Sequence, residues 1–231
     1  MLKEKADFGV GLDGDADRMA VMDENGRILY GDELLSLFAR ELLARKPGSI
    51  VMGEVKCSHL LYKDIEDHGG KPLMWITGHS IIKAKMQEVG AALAGEVSGH
   101  MFFNDGWFGF DDAIYGSARF ASIFSQQSKP LSELPGWPVT AKTPEIHVPC
   151  PDAIKFDVVN RAREYFRANY DTTEIDGMRV TFPDGWGLIR ASNTQPVLVL
   201  RFEAETEDRL KEIQNLMQSP LENWIAEAEA N

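Results

Sequence analysis

Asp13-Gly14-Asp15-Ala16-Asp17-Arg18 places three carboxylates within five residues. Two unit charges about 5 Å apart repel by about 3 kcal/mol at an effective dielectric of about 20, so three such pairs would cost about 10 kcal/mol without a counter-charge. A divalent cation supplies that charge. Hard oxygen ligands suit Mg2+ or Ca2+, and a site with few protein ligands plus a phosphate oxygen suits Mg2+. Arg18 either faces a substrate phosphate or serves as an ion-pair partner of the carboxylates. Asp13, Asp15, Asp17 and Glu24 also fall at the first, third, fifth and twelfth positions of an EF-hand calcium loop. That loop needs a glycine where Arg18 stands, and helices where strands are read here.

Two further segments carry polar groups at useful spacing. In Gly95-Glu96-Val97-Ser98-Gly99-His100, an extended backbone would point Glu96, Ser98 and His100 the same way, offering acceptors and donors to sugar hydroxyls. Its bracketing glycines let the backbone approach a ligand closely. In Arg190-Ala191-Ser192-Asn193-Thr194, guanidinium, hydroxyl and amide groups gather between two strands, a set suited to an oxyanion. Lys56 and His79 each stand at the end of a predicted strand, and His79 opens a helix, where N–H groups favour anions.

These groups need elements to hold them. A strand over 8–12 delivers the aspartate loop, a second strand starts at Met19, and Glu24-Asn25-Gly26 turns the chain into a return over 27–30. From Asp32, read as an amino-terminal cap, leucines and Phe38 recur at helical spacing until Pro47-Gly48. Strands over 50–53, 73–76 and 92–95 then alternate with helices over 59–68 and 81–89, and a helix over 112–128 follows. Such alternation implies βαβ units and a mixed, largely parallel sheet in an α/β/α layer arrangement. Residues 129–138 concentrate Pro130, Pro135, Gly136 and Pro138, a linker. Beyond it, a strand over 145–148, a helix over 153–168, a hairpin turning at Asp176-Gly177 and a strand over 197–202 precede two closing helices, 206–217 and another after Pro220, an α+β pattern.

Composition narrows the function. With 36 acidic and 24 basic side chains the 231-residue chain carries a net charge of −12, which repels nucleic acid and anionic membrane surfaces. Cys57 and Cys150 lie far apart without metal-binding spacing, which fits a reducing cytoplasm. No amino-terminal apolar stretch resembles a signal peptide, and no apolar run approaches the ~18 residues of a membrane span. A soluble cytoplasmic protein is expected.

Taken in order, the segments 13–18, 77–80, 95–100 and 190–194 resemble the α-D-phosphohexomutase superfamily, and within it the bacterial phosphomannomutase/phosphoglucomutase branch. Pro47-Gly48, Trp75-Ile76 and Trp107-Phe108-Gly109-Phe110-Asp111-Asp112 add to the likeness. The resemblance implies an enzyme of four domains around a cleft, carrying in turn a phosphorylated serine, a Mg2+ loop, a sugar-recognition loop and a phosphate-binding loop. It implies that Asp13, Asp15 and Asp17 ligate Mg2+, that Glu96 and Ser98 bind sugar hydroxyls, and that Arg190, Ser192, Asn193 and Thr194 hold the non-reacting phosphate. Lys56, His79 and His100 would line the cleft with Arg18, the catalytic candidate. In that chemistry the phosphoserine and a mannose or glucose 1- or 6-phosphate exchange phosphoryl groups through a bisphosphate, a transfer carried by positioning and charge.

The chain departs from this pattern twice. Ala16 stands where the family often has glycine, which matters if the position needs positive φ. No segment has the serine motif Thr-x-Ser-His-Asn-Pro. The resemblance therefore implies a remnant of the second domain with the metal loop over 1–26, a sugar-binding α/β domain over 27–138 and a phosphate-binding α+β domain over 139–231. The expected behaviour is that of a truncated mutase, which binds hexose phosphates weakly and turns over nothing. A phosphosugar-binding regulatory module is the alternative. Strand 8–12, deprived of neighbours, would expose an edge for self-association or leave residues 1–26 disordered.

Overall fold

The computed structural model describes residues 1–134 and 136–229; Pro135 of the expected linker lies outside the described residues, as do Ala230 and Asn231. The chain divides into two compact units, Met1–Trp137 and Pro138–Asn231.

The first unit opens with β1 (Phe8–Leu12), β2 (Met19–Asp23) and β3 (Ile28–Leu29), an antiparallel sheet in the order β1-β2-β3. Every residue of β1 pairs with β2, from Phe8 opposite Asp23 to Leu12 opposite Met19. The expectation that this strand loses its neighbours is thus corrected on one side, and residues 8–12 are ordered by that pairing. Its other side is the open edge of the sheet among the described residues.

Next come α1 (Gly31–Arg45), β4 (Ile50–Glu54), α2 (His59–Asp67), β5 (Lys71–Trp75), α3 (His79–Val89), β6 (Leu93–Gly95), β7 (Met101–Phe103) and α4 (Ala113–Phe124). The strands order as β5-β4-β6-β7, with β4 parallel to β5 and β6, and β7 antiparallel to β6. Successive strand residues feed opposite faces. Val51 and Phe103 join the core beneath Leu34, Leu35 and Phe38 of α1 and Phe120 of α4, whereas Met52 and Phe102 pack with Ile82 and Met86 of α3. That is the α/β/α layering expected. Met19, Val21 and Leu29 of the small sheet sink into the α1 core, which seats the aspartate loop on this layer.

Two details differ from the sequence reading. Helix α1 starts at Gly31, and Asp32 is buried rather than capping, its carboxylate accepting the N–H groups of Glu33 and Ser58. Glycine is required at position 31, because a Cβ there would lie 2.0 Å from the carbonyl oxygen of Glu96. Helix α4 is shorter than expected at its end, and Asp112 caps it by accepting the Tyr115 N–H at 2.8 Å.

The second unit contains β8 (Ala141–Lys142), β9 (Ile146–Pro149), α5 (Lys155–Arg167), β10 (Asp171–Thr173), β11 (Met178–Phe182), β12 (Gly185–Ala191), β13 (Val197–Ala204) and α6 (Glu207–Glu229). Its antiparallel sheet runs β10-β11-β12-β13-β8, with β9 also on β13. Inward residues such as Val180, Ile189 and Leu200 pack against Val158 and Phe166 of α5 and Ile213 and Met217 of α6. The two closing helices expected from Pro220 are one, α6. Leu210, Ile213, Met217 and Leu221 form a single buried stripe across the proline, and that burial outweighs the hydrogen bond Pro220 cannot make. Among the described residues no helix is long and apolar enough to cross a membrane.

Candidate functional site

The turn between β1 and β2 closes on itself: Asp13 N–H donates to the Arg18 carbonyl, and Arg18 N–H donates to Asp13 Oδ1 at 3.2 Å. Ala16 takes φ +60°, the left-handed region. So folded, Asp13, Asp15 and Asp17 each offer an oxygen within 4.8 Å of the others. Arg18 Nε donates to Asp13 Oδ2 at 2.6 Å and stands 3.6 Å from Asp17 Oδ1. Desolvation pushes the Asp13 carboxyl up, but the Arg18 hydrogen bonds and charge outweigh it and hold the group below its ordinary range. One cation thus offsets part of the repulsion among three anions. Asp17 Oδ1 is buried without a hydrogen-bond partner. An orphaned carboxylate oxygen among hard oxygen donors fits a divalent cation such as Mg2+. Glu24 is engaged elsewhere, accepting the N–H and hydroxyl of Ser132, so it adds nothing to a calcium loop.

The second cluster is not extended, contrary to expectation. Residues 96–99 form a turn closed by Gly99 N–H on the Glu96 carbonyl, with Gly99 at φ +103°. A Cβ on Gly99 would lie 2.4 Å from the Met19 carbonyl oxygen, and Met19 N–H donates to the Gly99 carbonyl, so the sugar-loop candidate is stitched to the strand leaving the aspartate loop. The turn still converges its side chains. His100 Nδ1 lies 2.7 Å from Glu96 Oε2 and 3.0 Å from Ser98 Oγ, and its Nε2 lies 3.3 Å from Asp17 Oδ2. Burial alone would lower the His100 pKa, yet the Glu96 hydrogen bond and the Glu96, Asp17 and Asp111 charges raise it. Conversely, burial pushes Glu96 up, and the His100 and Gly78 hydrogen bonds with the His100 and Lys56 charges bring it below its ordinary value. His79 stacks on His100 with ring centroids 5.5 Å apart, and its Nδ1 lies 3.1 Å from Asp111 Oδ2. Lys56 is buried two residues beyond the end of β4.

The phosphate-loop candidate belongs to the second unit. Arg190 is the penultimate residue of β12, buried, with Nε donating to Asp176 Oδ2 at 3.0 Å. The Ser192 hydroxyl oxygen accepts the N–H groups of Thr194 and Gln195, so it shapes the loop from within, while Asn193 and Thr194 are exposed. Lys155 Nζ donates to the carbonyls of Ser192 and Gln195 and to Asp152 Oδ1. Inward carbonyls are thereby satisfied by a buried ammonium. A cavity of about 120 Å3 lies beside this loop, lined by Asn160, Arg163, Asp176, Gly177 and Asn193 among others.

Several residues escaped the sequence reading. Glu54, Asp111, Lys155 and Asp176 hold candidate groups in place. Glu54 alone carried a usable signal, since ligands of parallel sheets gather at strand carboxyl ends and it closes β4 two residues before Lys56.

Comparison with known proteins gives a consistent picture. Residues 30–138 match the family described as phosphoglucomutase/phosphomannomutase, alpha/beta/alpha domain III, and residues 145–218 match phosphoglucomutase/phosphomannomutase, C-terminal domain. The chain is 46% identical over 220 residues to a phosphomannomutase/phosphoglucomutase of Pseudomonas aeruginosa, covering 94% of this chain and 48% of that protein. A phosphoglucomutase/phosphomannomutase family protein from Burkholderia thailandensis superposes with a TM-score of 0.88 at 42% identity, over 95% of this chain and 47% of that one. More remotely, an Aspergillus fumigatus N-acetylphosphoglucosamine mutase solved with GlcNAc-6P and magnesium shares the fold, with a TM-score of 0.66 at 16% identity over 95% of this chain and 48% of its own. The chain spans about half the length of the relatives it matches.

Proposed function

This chain belongs to the phosphoglucomutase/phosphomannomutase family, and from that premise we propose that it is the carboxyl-terminal part of a phosphohexomutase acting on mannose or glucose 1- and 6-phosphates. The observation that carries the reading is the convergence of the Asp13, Asp15 and Asp17 oxygens within 4.8 Å, next to the Glu96–His100 pair. In this proposal residues 1–26 are the remnant of a second domain, 27–138 the sugar-binding domain and 139–231 the phosphate-binding domain. Asp13, Asp15 and Asp17 would hold Mg2+, which when bound supplies positive charge at the transferring phosphoryl group. Arg18 adds a second cation there. Glu96 and Ser98 accept and donate to sugar hydroxyls, and His100, kept protonated more readily by Glu96 and Asp17, holds a proton beside them. Lys56 and His79 complete the lining. Arg190, Ser192, Asn193 and Thr194 receive the phosphate that does not react, by charge-assisted and neutral hydrogen bonds.

No segment of the 231 residues has the serine motif, and the proposal assigns the giving and taking of the phosphoryl to none of their groups. The purified chain should bind glucose 1-phosphate in the presence of Mg2+ and interconvert nothing. Calorimetric titration with that ligand, run beside a coupled mutase assay, tests both halves. Turnover by this polypeptide alone, or no binding at millimolar ligand, would sink the reading.

A further inference from the structure

Resting on that reading, we propose that Glu54 is the positioning residue that clamps together the three strand-end loops carrying Lys56, His79 and the Glu96–Ser98 pair. Glu54 is the last residue of β4 and is wholly buried. Its Oε2 accepts the Lys56 N–H at 2.7 Å and the Thr77 hydroxyl at 2.8 Å. Its Oε1 accepts the Val97 N–H at 3.3 Å and lies 4.0 Å from the Lys56 ammonium. These donors come from the loops that follow β4, β5 and β6. Each donor is a site residue or sits beside one: Lys56 itself, Thr77 two residues before His79, and Val97 between Glu96 and Ser98.

A buried carboxylate is expensive unless its surroundings supply fixed donors and a counter-charge. Here they come from three loops at once, so the same contacts that satisfy the charge also set the spacing of the loops. Being wholly buried, Glu54 acts through its neighbours rather than by touching a ligand. A second tie reinforces the arrangement, because Gly78 N–H donates to Glu96 Oε1 at 2.8 Å. An amide cannot replace the carboxylate. A carboxylate accepts at both oxygens, whereas glutamine turns one acceptor into a donor, which must face either Val97 N–H or the Lys56 and Thr77 donors.

The test compares the 231-residue chain with Glu54→Gln and Glu54→Asp. Hydrogen exchange is read at the Lys56 and Val97 amides and at Phe38 and Val51 in the core, and glucose 1-phosphate affinity is measured with Mg2+ present. Glu54→Gln should speed exchange at Lys56 and Val97 about tenfold, leave Phe38 and Val51 unchanged and weaken glucose 1-phosphate binding about tenfold. Glu54→Asp, which keeps the charge and both acceptors, should recover part of both losses. Unchanged exchange at Lys56 and Val97 overturns the clamp. Equal acceleration in loops and core also overturns it, since Glu54 would then hold the fold as a whole. Loosened loops with undiminished affinity overturn the positioning role. If the unaltered chain binds no glucose 1-phosphate, the reading of the preceding section fails, and the exchange measurements still decide the clamp by themselves.

Discussion

Ala16 shows what one residue's conformation can reveal. It sits at φ +60° inside the aspartate loop, where a β-carbon costs about 1–2 kcal/mol. Glycine would remove that cost but lose about 0.5–1 kcal/mol to its greater freedom in the unfolded chain. Ala16→Gly should therefore stabilise the first unit by about 0.5–1 kcal/mol, seen as a higher urea midpoint with unchanged slope. An unchanged or lower midpoint would mean the loop already absorbs the strain. The candidate side chains stood out at this scale because their types and spacing are unusual. The holding roles of Asp111, Lys155 and Asp176 did not, because a single acid or lysine in a sequence looks the same whether it is solvated or ties a loop.

Between elements, ion pairs do comparable work. Asp105, in the loop after β7, is buried and contacts Arg45 and Lys46 at the end of α1 at 2.7 and 2.5 Å, and Arg119 of α4 at 3.3 Å. Burial pushes its carboxyl up, but these three cations overcome that and hold it far below the ordinary carboxylate value. Because the folded-state pKa is depressed, the stabilisation is present above the unfolded carboxylate pKa near about 4 and is lost as pH falls through that value toward the folded one. Asp105→Asn should lower stability by about 2–3 kcal/mol at pH 7 and flatten its dependence on pH below about 4. Urea unfolding of both proteins from pH 7 to pH 2 measures this, and parallel curves would count against it. Element order and most boundaries followed from periodicity, which is a local property. The break expected at Pro220 did not, since a continuous buried stripe kept α6 whole.

At the scale of the whole chain, each unit has its own buried core. Residues 138–140, where the second unit begins and Val139 is exposed, should be cut first in limited proteolysis, leaving two fragments that both keep cooperative thermal transitions. A single transition lost on the first cut would show that one unit cannot stand alone. The net charge of −12 acts at this scale too, opposing association with polyanions whatever the local fold. The open edge of β1 is also a property of the assembled sheet, since it depends on which strand ends the order β1-β2-β3.

By itself, the amino-acid sequence determined the aspartate loop, the apolar stripes, the alternation that builds a parallel sheet and the family likeness, because each is written in the type and spacing of nearby residues. Which groups meet was decided only in three dimensions. The strand order β5-β4-β6-β7 brings donors at positions 56, 77 and 97 onto one carboxylate, and a turn at Gly99 sets His100 between Glu96 and Asp17. Such meetings depend on the path of backbone far away along the chain, and a desolvated charge keeps only the partners that path delivers.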